Sequence, residues 1–201
     1  MPYVVLAILW TAWCAMHSLL ISRPVVAGLK VRFGDSYRYY RLAFNGISVV
    51  TLVPVLLYSG ALHGEPLFAW AGVWRPVQFL LAASALALFA GGARHYDLFQ
   101  FLGVRQVAEH ESKGGLTETG GLDTSGILGV VRHPWYSGGI LIIWARPVDK
   151  ATLVTNLVLT AYLVIGTILE ERKLVAEFGD EYRDYQERVG MLVPGAKWKK
   201  L

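Results

Sequence analysis

The sequence predicts an all-α, polytopic membrane protein with about five transmembrane helices and a cytoplasmic C-terminal helical cap. Hydrophobic residues make up 54% of the 201 residues and charged residues only 17%, and the mean hydropathy is +0.42. Because an ordinary soluble domain carries about 25% charged residues, this composition indicates that lipid replaces water around part of the chain. The one cysteine, Cys14, excludes a disulfide framework and any cysteine-based metal cluster.

Three uncharged runs predict the first three spans. Residues 3–21 form a 19-residue run that is long enough to cross about 30 Å of hydrocarbon as a helix. This run lacks the basic start and the cleavage site of a signal peptide, so we expect it to remain in the mature protein. Residues 42–62 form the second span, with Pro54 as a tolerated kink. Residues 77–93 form the third, and their many small side chains allow close helix contact.

The C-terminal half predicts a helical hairpin. Residues 135–145 are apolar but short for a span, and a polar segment at residues 146–150 separates them from a full span at residues 151–169. We expect the shorter arm of this hairpin to pack against protein more than against lipid.

Residues 170–201 are expected to form a cap on the cytoplasmic side. The last long helix is predicted to end at Phe178, with Gly179 in the left-handed region. A short amphipathic helix follows, and the spacing of Tyr182 and Tyr185 places both on one of its faces.

The distribution of basic residues predicts the orientation. Sixteen of the nineteen lysines and arginines lie in residues 22–41, 94–133 and 170–201. The positive-inside rule therefore places the N-terminus outside and the C-terminus in the cytoplasm. This topology also explains the pI near 9.2, and it leaves a nucleic-acid partner without support.

The first cytoplasmic region whose side chains could take part in a reaction is the loop at residues 94–132, which contains His95 and Arg105. Loops of this length without structure of their own tend to be functional or disordered. Its glycines do not form a dinucleotide fingerprint, because no strand precedes them. A plain flexible connector remains the alternative interpretation.

The second region begins at Arg132. Pro134 disfavours a helical conformation at His133 and suits the first position of a helix, so His133 is expected beside the helix cap. Free N–H groups there attract anions, and Arg132 adds a positive charge. In the alternative interpretation, Arg132 reaches toward lipid headgroups and His133 only caps the helix.

Glu170 and Glu171 end the last span. Adjacent carboxylates at a membrane boundary are costly unless they are solvated or paired. They either mark the point where the helix leaves the lipid, with Glu170 and Lys173 as a surface pair, or accept hydrogen bonds from a ligand.

Together these elements resemble the integral-membrane methyltransferases of the isoprenylcysteine carboxyl methyltransferase and phospholipid methyltransferase superfamily. The similarity covers roughly residues 122–194, and segments nearer the N-terminus are similar to the bacterial methanethiol S-methyltransferase branch, which is close to proteins of the NnrU type. The elements are Arg132-His133-Pro134-Trp135-Tyr136, Glu170-Glu171, Phe178-Gly179-Asp180-Glu181-Tyr182, His17-Ser18, and residues 94–99, 103–107 and 144–147.

The resemblance implies one methyltransferase domain over residues 1–201 in the bacterial inner membrane. It implies that S-adenosylmethionine binds in a pocket capped by the C-terminal segment, without a Rossmann domain or a metal. Gly166 and Thr167 stand where prenylcysteine enzymes carry a substrate-binding arginine, which disfavours that substrate. The cofactor-binding positions that the resemblance implies are Gly120, Gly121, Leu122, Asp123, Leu128, His133, Pro134, Trp135, Tyr136, Glu170, Tyr182 and Tyr185.

The expected reaction is methylation of a small thiol or a lipid-like acceptor, with methanethiol-like thiols favoured and membrane lipids as surroundings. A thiol must attack as the thiolate, which a nearby cation or histidine favours, so His95, Arg105 and Arg132 are the candidate catalytic residues. Trp135 and Tyr136 are candidates to stabilise the sulfonium charge. Two alternatives stay open: an NADPH-dependent membrane reductase of sterol-reductase-like architecture, and a non-catalytic NnrU-like membrane factor.

Overall fold

A computed structural model describes residues 1–95, 97–109 and 121–196, and every regular element within these ranges is helical. The predicted all-α class is thereby confirmed. Two isolated backbone bridges join Phe68 to Val148 and Val131 to Gly190. The helices of the described ranges are α1 (Pro2–Leu20), α2 (Arg23–Phe33), α3 (Tyr40–Ala61), α4 (Arg75–Ala93), α5 (Leu98–Leu102), α6 (Val104–Glu109), α7 (Pro134–Trp144), α8 (Lys150–Phe178) and α9 (Asp180–Arg188).

Four helical segments of the described residues are long and apolar enough to cross a membrane, so the chain is an integral membrane protein. They are Pro2–Leu20, Arg23–Ala61, Gly72–Ala93 and Lys150–Phe178, and they correspond to four of the five predicted spans to within one residue at the C-terminal end of the first two. The fifth predicted span corresponds to α7, which has 11 residues. At about 1.5 Å per residue it is shorter than the hydrocarbon layer, as expected for the short arm of the hairpin.

Proline and glycine set several helix boundaries. Pro134 is the first residue of α7, as predicted from its fixed φ angle and missing N–H group. Helix α8 ends at Phe178 as predicted, and Gly179 has φ 59°. Its ψ of −127° lies outside the left-handed region that the sequence suggested. Residues 170–178, which we assigned to the cap, are the last turns of α8 itself.

The described part of the segment at residues 94–132 contains two short helices that the sequence did not predict, α5 and α6. The Asp97 carboxylate accepts a hydrogen bond from the Gln100 backbone N–H (3.0 Å) and caps α5. Gly103, with φ 90°, ends that helix, and a Cβ atom there would lie 2.7 Å from the backbone nitrogen of Leu42. Local capping of this kind leaves little trace in a hydropathy pattern, which explains the difference.

The described residues form two compact units. The first unit contains α1–α3, α5, α6 and the first turns of α8. Within it, α1 and α3 are joined by hydrogen bonds from the Trp13 indole to the Ser48 carbonyl (3.2 Å) and between His17 and the Ser48 hydroxyl (3.1 Å). The second unit contains α4, α7, the rest of α8 and α9, together with both regions that the sequence singled out around residues 132 and 170.

Helices α4 and α7 of the second unit pack closely through small residues. A Cβ atom on Gly92 would lie 2.4 Å from the Trp135 ring, and one on Gly138 would lie 3.2 Å from the Ala85 carbonyl oxygen. The Trp135 indole donates to the Phe89 carbonyl (3.2 Å). The close helix contact predicted from the small side chains of residues 77–93 is therefore confirmed.

Candidate functional site

A buried carboxylate, Glu171 of α8, organises the second unit. Its Oε1 accepts hydrogen bonds from Arg132 Nε (2.9 Å), His133 Nε2 (2.7 Å) and the Tyr182 hydroxyl (2.7 Å). Its Oε2 accepts from Arg132 Nη2 (2.8 Å) and from the Gln186 amide. We call these five residues the Glu171 cluster. It joins α8, α9 and the segment before α7.

The cluster can hold charge inside the protein because its pairing is nearly complete. Arg132 and Glu171 form a bidentate ion pair, the strongest geometry for these two groups. Arg132 Nη1 also donates to the carbonyls of Gln186 and Val189. The Arg132 side chain is only 5% exposed, so it does not reach toward lipid headgroups. Burial and the neighbouring Glu171 charge raise the pKa of Tyr182, which keeps its hydroxyl a donor.

The cluster fixes the tautomer of His133. A carboxylate can only accept hydrogen bonds, so the imidazole hydrogen lies on Nε2, which faces Glu171. In the neutral ring, Nδ1 is then an acceptor. It lies 3.9 Å from Glu170 Oε2, which is too far for a hydrogen bond. The Glu170 side chain is 32% exposed. We call His133 Nδ1 of the neutral ring and the Glu170 carboxylate the acceptor pair; the His133 side chain is 4% exposed, so Glu170 is its accessible member.

The C-terminal segment at residues 189–192 lies against the start of α7. The Arg132 backbone N–H donates to the Gly190 carbonyl (2.9 Å), and the Ser137 hydroxyl donates to the Leu192 carbonyl (2.8 Å). These bonds pair polar groups that are buried. They hold the residues around the acceptor pair in place from the C-terminal side.

A second polar pair in the same unit joins His95 to Asp123. The distance from His95 Nδ1 to Asp123 Oδ2 is 2.7 Å, and the Asp123 carboxylate also accepts from the Ser125 backbone N–H (2.9 Å). These hydrogen bonds, first from Ser125 and then from His95, lower the pKa of Asp123. Gly126, with φ 54°, packs on the imidazole, since a Cβ atom there would lie 2.9 Å from His95 Nε2. Asp123 therefore orients His95 with its hydrogen on Nδ1.

The predicted residues at the start of α7 lie close together. Pro134 is fully buried, and the rings of His133 and Tyr136 pack edge to face with centroids 5.7 Å apart. Trp135 is half-buried and is fixed against α4 by its hydrogen bond to the Phe89 carbonyl. Tyr136 also reaches α8, because a Cβ atom on Gly166 would lie 3.3 Å from its ring.

The remaining predicted cofactor positions include Tyr185, whose ring packs edge to face on that of Tyr182 with centroids 5.7 Å apart. The Tyr185 hydroxyl donates to the carbonyl of Leu128 (2.5 Å), and both residues are buried. Leu122 is half-buried and Gly121 is exposed. Gly120 lies outside the described residues.

The three candidate catalytic residues each have a different carboxylate partner. Arg105 lies in the first unit and forms an ion pair with the buried Asp97. His95 and Arg132 lie in the second unit, His95 against Asp123 and Arg132 inside the Glu171 cluster. Their roles stay predictions, and the geometry favours positioning over substrate contact for Arg132.

Two members of the cluster were missed as site residues. The sequence indicates Glu171 only as one of two carboxylates at the end of the last span, and it gives Gln186 no predicted role. The spacing of Gln186, four residues after Tyr182 on α9, places the two on one helix face and could have revealed it.

The geometry is accompanied by a family match over almost the whole chain. A protein-family model described as "NnrU protein" matches residues 5–196. The chain belongs to the NnrU family. This assignment confirms the resemblance to the NnrU-like branch that the motifs indicated.

Curated relatives of this NnrU-family chain are named methanethiol S-methyltransferase. The methanethiol S-methyltransferase of Pseudomonas deceptionensis is 39% identical over 104 residues, which cover 51% of this chain and 38% of the relative. Methanethiol S-methyltransferase 1 of Bradyrhizobium diazoefficiens is 41% identical over 107 residues, 53% of this chain and 35% of the relative. The Mycobacterium tuberculosis methanethiol S-methyltransferase is 37% identical over 126 residues, which cover 62% of this chain and 48% of the relative. The matches thus span less than half the length of these relatives. No solved structure matches the chain with significance.

Proposed function

We propose that this NnrU-family protein is an S-adenosylmethionine-dependent membrane methyltransferase whose acceptor is a small thiol of the methanethiol type. The names of its relatives support the chemistry. The observation that carries the proposal is the acceptor pair formed by His133 Nδ1 and Glu170, with His133 held by its hydrogen bond to Glu171.

The residues at this place suit the proposed cofactor. S-adenosylmethionine presents an ammonium group, ribose hydroxyls and a positive sulfonium, and the acceptor pair offers lone pairs and the Glu170 charge to such groups. Trp135 and Tyr136 add aromatic faces that favour a sulfonium. His133, Trp135, Tyr136 and Glu170 would hold the cofactor, which supplies an electrophilic methyl group when bound.

The protein's own residues must then position a thiolate and exclude water. Methyl transfer from a sulfonium needs in-line approach at about 3 Å more than covalent assistance. With its Nδ1 hydrogen directed at Asp123, His95 carries an acceptor at Nε2. We propose that this nitrogen takes the thiol proton. Arg132 acts through Glu171, by fixing the carboxylate that orients His133.

The expected binding experiment is calorimetry of the purified full chain with S-adenosylhomocysteine. The wild-type protein should bind it and should not bind NADPH. Glu170→Gln should weaken binding about ten- to hundredfold, because a hydrogen bond to a charged group contributes about 1.5–3 kcal/mol. Glu177→Gln, on the exposed side of the same helix, is the matched control and should bind as the wild type does.

Three results of this titration would count against the proposal. Binding of NADPH instead would favour the reductase alternative. Binding of neither compound would favour a non-catalytic membrane factor. Equal affinities of Glu170→Gln and Glu177→Gln would show that the Glu170 carboxylate is not a cofactor contact.

We also propose a bacterial inner-membrane location with the N-terminus outside and the C-terminus and the site in the cytoplasm. The uneven distribution of lysine and arginine supports this orientation. Reporter fusions placed after residue 201 and within residues 62–71 should report the cytoplasm and the outside, respectively. The same compartment at both positions would refute the orientation.

A further inference from the structure

The first unit contains a cavity that the proposed methyl transfer does not use. Its volume is about 450 Å³, and α2, the 3₁₀ turn Gly34–Tyr39, α3 and α6 contribute to its wall. Three cationic side chains line it, Lys30, Arg38 and Arg41, against one carboxylate, Asp35. The wall therefore carries an excess of positive charge, which favours an anionic ligand.

The two arginines are held in place rather than left free in solvent. Arg41 Nε donates to the Phe101 carbonyl (3.0 Å), and its guanidinium carbon lies 5.1 Å from the centre of the Phe101 ring. Arg38 Nη2 donates to the Tyr39 hydroxyl (2.9 Å), with its guanidinium carbon 4.8 Å from that ring. Guanidinium groups fixed in this way lose little further freedom when they bind an anion.

Two residues of the cavity wall also carry buried polar atoms that lack partners. Within the described ranges, Arg38 Nε and Gln106 Oε1 are buried and have no hydrogen-bond partner. The Gln106 amide nitrogen, in contrast, donates to the Gln100 carbonyl (2.9 Å). A buried donor or acceptor without a partner is costly, so a small rotation of either side chain toward a ligand in the cavity would be favoured.

The two unpartnered atoms indicate which groups of a ligand could pair with them. Arg38 Nε needs an acceptor such as a phosphate oxygen, and Gln106 Oε1 needs a hydroxyl or ammonium donor. The rings of Tyr37 and Tyr40 stack at 5.4 Å on the same wall and add a flat apolar surface. A phosphate ester whose alcohol part carries a hydroxyl or ammonium group matches these features.

We propose that this cavity binds the phosphate ester of a ligand, through Arg38, Arg41 and Lys30, with Gln106 accepting from the alcohol part. Arginine suits phosphate because its planar fork offers paired donors. Two sources share this chemistry: a phospholipid headgroup and a soluble phosphate monoester. The exposed apolar side chains Val31 and Leu42, which follow the lining residues Lys30 and Arg41 in sequence, favour a lipid as the source.

The test is titration of the delipidated full chain in detergent with three probes. Dihexanoyl phosphatidylglycerol carries the phosphate and a glycerol hydroxyl, dihexanoylglycerol lacks the phosphate, and glycerol 3-phosphate represents a soluble ester. We expect phosphatidylglycerol to bind and dihexanoylglycerol to bind at least tenfold more weakly. Binding of glycerol 3-phosphate with comparable affinity would support the proposal with a soluble ester as the source.

Matched arginine variants distinguish ligand binding in the cavity from attraction to positive charge elsewhere on the surface. Arg38→Gln should weaken binding of the phosphate-bearing probe about ten- to hundredfold. Arg32→Gln removes an exposed arginine of α2 outside the cavity wall and should change the affinity less than twofold. Lys30→Gln, on the exposed rim, should weaken binding about threefold and gives a readout that does not depend on a buried substitution.

Three outcomes would overturn the proposal. The first is equal affinity for the lipids with and without phosphate, with no binding of glycerol 3-phosphate. The second is equal affinity of Arg38→Gln and Arg32→Gln. If Arg38→Gln is not recovered folded, equal affinity of Lys30→Gln and Arg32→Gln decides against the cavity. Because the Glu170 titration uses a different ligand and different variants, failure here leaves the methyltransferase proposal standing.

Discussion

Glu171→Gln is expected to lower the midpoint of thermal unfolding in detergent by roughly 6–12 °C. The substitution keeps the size of the side chain but removes the charge that faces Arg132. It also replaces one carboxylate oxygen with an amide NH₂. Either Arg132 or another donor of the cluster then loses its acceptor. Removing one partner of a buried ion pair costs about 3–5 kcal/mol, and we expect the lower end because one acceptor oxygen remains.

The neighbouring carboxylates supply the comparison for Glu171→Gln. Glu170→Gln changes a side chain that is 32% exposed, so its unfolding midpoint should stay within about 2 °C of the wild type. Glu177→Gln should behave in the same way. If all three variants unfold at the same temperature, the Glu171 cluster does not stabilise the second unit. Glu170→Gln should therefore lower ligand affinity with little change in stability, whereas Glu171→Gln should lower stability.

Gly190→Ala is expected to destabilise the protein by about 3 kcal/mol, which corresponds to roughly 6–12 °C in the unfolding midpoint. A Cβ atom at this position would lie 2.1 Å from the Val193 carbonyl oxygen and 3.1 Å from that of Ala196. Both contacts are with backbone, so no side-chain rotation relieves them. The segment must move, and it then loses the hydrogen bond from the Arg132 N–H to the Gly190 carbonyl.

Gly46→Ala is the matched control for this substitution. Gly46 lies inside α3, and nothing is found within 4 Å of a Cβ atom built there. Alanine is a better helix former than glycine, so the control should be as stable as the wild type or slightly more stable. An unfolding midpoint of Gly190→Ala equal to that of Gly46→Ala would show that the C-terminal segment adapts freely.

The long apolar helices of the fold could be predicted from the sequence. Uncharged runs located α1, α3, α4 and α8, and Pro134 and Gly179 marked boundaries because their backbone preferences act locally. The short helices α5 and α6 escaped prediction, and the cap of α5 depends on a single hydrogen bond from the Gln100 N–H to Asp97. The family was recognised because Arg132-His133-Pro134 and Glu170-Glu171 occur in order and at a specific spacing.

The inner arrangement of the site could be predicted only in part. Neighbouring residues on a helix point about 100° apart, so sequence indicated that Glu170 and Glu171 cannot share one direction. Which of them faces inward depends on how α8 rotates against α7 and α9, and that rotation is set by packing. The five hydrogen bonds that Glu171 accepts, including the one from Gln186, could therefore be identified only from the structure.

The ion pair between Arg132 and Glu171 also has a consequence for how the protein is made. The two residues are 39 positions apart, and Arg132 leaves the ribosome first. At about 5–20 residues per second, its carboxylate partner follows roughly 2–8 s later. Throughout that interval the guanidinium has to stay in water, because burying it alone would be prohibitively costly. Membrane insertion of the helical hairpin and completion of the site are thus tied to translation of the segment that contains Glu171.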